Sequence, residues 1–123
     1  MRTIFILCGI ILVAGMAYLW HSMRLPDHYG IFAGTPKVEV RDLIERPRDF
    51  LHKTITVEGI VTKQCTTMGC YFFFQSGQKL LRVDISEIAM TAPRRNGHIA
   101  QVEGQIVPFN DGFQFWASAV EFK

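Results

Sequence analysis

The chain has 123 residues and a formal charge of +2, enough for one domain and not two. With Arg2 set aside, 12 basic residues face 11 acidic ones, so there is no strongly basic face of the kind that binds nucleic acid. Three cysteines are present, and Cys8 lies in an apolar run, which isolates Cys65 and Cys70 as a pair.

Residues 4–20 carry no charge, and Arg2 precedes them. Their 17 positions match the short end of what spans a hydrocarbon core of roughly 30 Å. Two forms fit: a cleaved signal peptide ending near Gly15-Met16-Ala17, or an uncleaved signal-anchor helix. Tyr18, Trp20 and His21 suit a membrane–water interface and favour the anchor. Cys8 comes too early for a lipoprotein cleavage site and reads as a small lipid-facing residue. Residues 1–23 are therefore expected to be a transmembrane signal anchor, with the rest outside the cytoplasm, facing the periplasm or cell exterior.

Residues 24–37 hold two prolines and two glycines without periodicity and read as a linker. His21 and His28 are expected to be solvated. Val40, Leu43 and Ile44 fall at helical spacing, and Pro47 limits the helix to about residues 42–46.

Five strands are predicted after that. In residues 54–63, Ile55, Val57 and Val61 share one face, and Thr54, Thr56, Glu58 and Thr62 the other. Gly59 marks a sharp coil or a close backbone approach. Residues 70–75 form an aromatic strand and residues 80–85 another, with Leu81, Val83 and Ile85 inward. Pro93 argues against a helix in the 86–98 connection. Residues 99–107 and 113–122 flank a strong hairpin signal at Asn110-Asp111-Gly112. Phe113, Phe115 and Trp116 are expected to seal the core. Together these features predict a mainly β domain over residues 38–123: a five-stranded OB-fold-like barrel with a short N-terminal helix.

The runs KTITVEGIV, C-x4-C ending in GCYFFF, LLRVDI and HIAQVEGQIV resemble the small exported bacterial OB-fold proteins of unassigned function, the DUF4920-like group. The resemblance covers residues 38–123, and its distinctive part is Gly69-Cys70-Tyr71 after Cys65. Tyr71 stands where that group most often has tryptophan. The resemblance implies the fold and export, not a reaction.

Cys65 closes the first predicted strand and Cys70 opens the second, so hairpin pairing would bring their sulfurs together. Three uses are open. Outside the cytoplasm the pair can be a structural disulfide. With Met68 between them, the thiolates can form a soft sulfur site for copper, or for zinc if a nitrogen such as His98 joins. Alternatively, the pair can cycle as a thiol–disulfide redox centre, which would need a nearby cation such as Lys63 to lower a thiol pKa.

Alternation puts Phe72 and Phe74 on one face of their strand, and Tyr71 and Phe73 on the other. Tyr71, Phe73 and Arg82 could then form a platform for single-stranded nucleic acid or glycan, unless the N-terminal helix covers it. The near-zero net charge makes nucleic acid the weaker ligand. Arg94-Arg95 reads as a solvated loop pair. No Ser/His/Asp set, phosphate loop or His-x3-His pattern appears, so no hydrolytic machinery is visible. The expected role is a membrane-tethered binding module that holds a partner protein or a soft metal ion at Cys65, Cys70 and Met68.

Overall fold

A computed structural model describes residues 2–23, 26–65, 70–89 and 92–123. Among the described residues the order is helix α1 (Arg2–Met23), strands β1 (His28–Gly30) and β2 (Lys37–Val38), helix α2 (Val40–Glu45), a 3-10 turn (Pro47–Phe50), then β3 (Ile55–Thr62), β4 (Tyr71–Ser76), β5 (Lys79–Asp84), β6 (Ile99–Phe109) and β7 (Gly112–Phe122).

The apolar N-terminal run is helical. Among the described residues no helix is long and apolar enough to cross a membrane. The described side chains of α1 run from Thr3 to Leu19. All of them are exposed.

The five main strands lie where alternation predicts them. β3 pairs antiparallel with β4 and β6, β4 with β5, and β6 with β7, while β5 joins β7 in parallel. The path β3–β4–β5–β7–β6 thus returns to β3. Its β3–β4 and β5–β7 joints each rest on two register pairs, so the wall is thinly stitched at those seams. Val57, Val61, Phe72, Phe74, Val83, Ile85, Val102, Ile106, Phe115 and Val120 fill the interior. α2 packs on β3, β4 and β5, with Leu43 and Val40 entering the same core.

Two glycines make the coiling possible. An added Cβ at Gly59 would sit 2.8 Å from the Phe74 ring, and one at Gly104 would sit 2.1 Å from the Trp116 carbonyl oxygen. The register shifts between Glu103 and Gly104, a bulge that bends β6 around its partners.

The segment expected to be a linker also enters the sheet. β1 pairs with the end of β7, and β2 runs parallel to β3 with Lys37 opposite Thr56. Strands of two and three residues are too short to show alternation, which is why the sequence pattern does not reveal them. The strap joining them lies over Thr56, which is 4% exposed despite its predicted outward position. Between β5 and β6, Ile88 and Ala89 close a turn on the Ile85 carbonyl, and Pro93 and its neighbour Ala92 are buried without a helix among the described residues.

Candidate functional site

The cysteine corner sits where β3 hands over to β4. The Cys65 amide donates to the Tyr71 carbonyl at 2.9 Å, and the Ile85 amide donates to the Cys70 carbonyl at 2.9 Å. These bonds extend the ladders on both sides of β4, so both cysteines have fixed backbones. Their side chains are half-buried thiols in hydrogen-bonding contact with each other. Burial raises the Cys70 pKa, the Cys65 thiol raises it further, and the Asp84 carboxylate adds a smaller push in the same direction. The Cys70 sulfur is therefore held as a thiol rather than activated as a thiolate.

Met68 and the rest of residues 66–69 lie outside the described residues. Among the described residues, no three His, Cys, Asp or Glu side chains cluster as metal ligands, so His98 does not complete a site with the two thiols. The His98 Nδ1 instead lies 3.1 Å from the Lys123 carbonyl oxygen.

Beyond Cys70, the outer face of β4 presents Tyr71 and Phe73, both half-buried, with their rings edge to face at 6.0 Å. The expectation that the N-terminal helix could cover this face is not met. α2 packs among the inward residues, the side of Phe72 and Phe74. Arg82 on β5 lies opposite Phe73. Its guanidinium lies 4.4 Å from the Tyr71 ring centroid and 4.4 Å from that of Phe109. It also donates to Gln114 Oε1 and meets Asp84 Oδ2 at 3.5 Å. Phe109 and Phe113 come from the β6–β7 hairpin and complete an open groove of about 630 Å³, lined also by Lys63 and Leu80. These two aromatics escaped the sequence reading as platform residues because only the parallel β5–β7 joint brings their hairpin beside β5.

Two polar side chains missed by the sequence reading organise the surroundings. Gln64, buried beside Cys65, donates through Nε2 to the Pro93 carbonyl and accepts the Arg95 amide on Oε1, at 2.9 and 2.8 Å. Its own amide donates to Asn96 Oδ1. The 92–98 loop is thereby fastened behind the corner. Arg95 is not simply solvated, since its guanidinium bonds Asp27 at 2.7 and 3.1 Å.

Glu103 is 2% exposed. Its Oε1 accepts the Ala33 amide at 2.8 Å, and its Oε2 accepts the Thr35 amide at 3.1 Å and the Thr35 hydroxyl at 2.8 Å. Thr56 adds a weaker contact at 3.4 Å. Burial pushes the carboxyl pKa up, but these donors outweigh it and hold the pKa below the ordinary carboxylate value. Glu103 therefore latches the strap to the sheet as a carboxylate. A glutamate in an alternating strand gives no sign of this from sequence.

No family model and no curated protein matches the sequence. Among solved structures, the chain is similar to a protein described as an aspartyl-tRNA synthetase from Leishmania major, at 12% identity and a TM-score of 0.50 over 75% of this chain. It spans about a fifth of that synthetase, 21% of its length. It is also similar to the ygiW protein of E. coli, at 9% identity and a TM-score of 0.50, over 75% of this chain and 100% of that one. At such identities the likeness concerns the fold alone: a β-rich architecture resembling OB-fold proteins.

Proposed function

We propose that this chain is a membrane-tethered, non-cytoplasmic binding module, built on a five-stranded OB-type barrel, whose Cys65–Cys70 corner holds a soft metal ion and offers it to a partner protein at the membrane. The observation that carries the reading is the contact between two half-buried thiols on backbones pinned from both sides. Soft sulfur donors select copper(I). Binding exchanges the two thiol protons for the ion, and copper(I) accepts so small a ligand set. Zinc would need four ligands, and the described residues supply only the two thiols at this corner. Met68, between the two cysteines in sequence, is the natural third sulfur. The exposed apolar surface of α1 supports the tether.

Thiol–disulfide catalysis fits less well. The charged group that acts on Cys70 is Asp84, an acid, and the thiol pKa is raised, the opposite of what an attacking cysteine needs. The same sulfur contact does favour a disulfide as the metal-free state in an oxidising compartment.

Native mass spectrometry of the reduced full chain in mild detergent, loaded with copper(I), tests the proposal. One copper adduct, absent from Cys65→Ser and Cys70→Ser, supports it. No adduct on the wild type, or an adduct that survives both substitutions, overturns it.

A further inference from the structure

The groove beside the corner is separate from the thiols, and its lining is not that of a solvated sheet face. Leu80 and Phe109 are each 37% exposed, and Tyr71, Phe73 and Phe113 are half-buried around them. Among the described residues the lining contains two cations, Lys63 and Arg82, and no acid. Arg82 is 22% exposed and fixed between two rings beside Asp84, which offsets part of its charge at 3.5 Å, so the guanidinium is held at the groove at little entropic cost.

We propose that this groove binds an extended segment of a partner protein that carries acidic residues interleaved with apolar ones. The acidic side chains would meet Arg82 and Lys63, and the apolar ones would pack on Phe109, Phe113 and Leu80. A single-stranded nucleic acid fits the groove less well. It repeats a charge at every nucleotide, whereas the groove offers two cations and the whole chain carries only +2. Leu80 is also an aliphatic wall rather than a stacking surface, which suits a peptide side chain better than a base.

The groove does not depend on the metal reading, and the two are tested apart. The full chain in detergent, with Cys65 and Cys70 both changed to Ser, is panned against a displayed library of short random peptides. The selected peptides are resynthesised for fluorescence titration. Enrichment of sequences mixing Asp or Glu with aromatic or aliphatic residues is expected. Replacing their acids by the matching amides should weaken binding about tenfold. Arg82→Gln should weaken it similarly, and Leu80→Asp, at an exposed position that leaves the core untouched, should abolish it by bringing a like charge to the peptide. Thermal melts establish that both variants fold. No enrichment, enriched peptides without acids, equal affinity of the Leu80→Asp variant, or displacement by oligodeoxythymidylate at lower concentration than by the peptide would each overturn the proposal.

Discussion

Glu103→Gln is the sharpest perturbation of this fold, because it changes one atom and keeps the shape. The carboxylate receives the Ala33 amide on Oε1 and the Thr35 amide and hydroxyl on Oε2. An amide can keep only one of those oxygens. In its best orientation the new NH2 replaces Oε1 and faces the Ala33 N–H, donor against donor. One charge-assisted bond is lost, worth about 1.5–3 kcal/mol, and the bonds that remain weaken once the acceptor is neutral. A total loss of about 3 kcal/mol follows, or a Tm lower by roughly 10 °C in a chain of this size. The loss should be local first. The strap over residues 31–36 should become cleavable by protease before the core melts, because Glu103 supplies three of its bonds to the sheet.

The pH dependence gives a second readout on the same residue. The folded pKa of Glu103 lies below its ordinary value, so its contribution is full above that value and is lost as pH falls through the folded pKa. Wild-type stability should therefore drop in acid, below about pH 4.3, and Glu103→Gln should show a flatter acid limb. Thermal melts of the full chain in mild detergent across pH, with limited proteolysis at neutral pH, measure both effects. A variant within about 2 °C of wild type, with an uncut strap, would refute the latch.

Three further outcomes are expected. Gly104→Ala should leave little folded protein, since its Cβ would lie 2.1 Å from the Trp116 carbonyl oxygen, a backbone atom that cannot move away cheaply; soluble yield and circular dichroism read this out. Alkylation of Cys70 in the Cys65→Ser variant should keep accelerating above the pH at which a free cysteine levels off, because burial remains the main cause of its raised pKa; a plateau at or below the pH of a free cysteine would contradict the buried-thiol reading. Oxidation of the wild type by a small disulfide should close Cys65 to Cys70, with a gain of about 2 kcal/mol on the loop-entropy estimate, measured as a shift in urea midpoint that reductant reverses.

Much of the fold is legible in the sequence because a half-buried strand must alternate. Ile55, Val57 and Val61, then Phe72 and Phe74, then Leu81 and Val83 all point into the core as their spacing requires. Asn110 and Gly112 place the hairpin between β6 and β7. Local chemistry decides these features, so neighbours in sequence suffice to read them.

What sequence cannot display is pairing between distant segments. Glu103 looks like any solvent-facing strand residue until residues 33–35 lie across it. Thr56 is buried for the same reason. Phe109 and Phe113 become groove walls only because β7 joins β5 in parallel and carries their hairpin beside Arg82. Alternation fixes which way a side chain points relative to its own strand. Only the tertiary structure decides what stands in front of it, because that depends on contacts between segments whose separation along the chain no local pattern encodes.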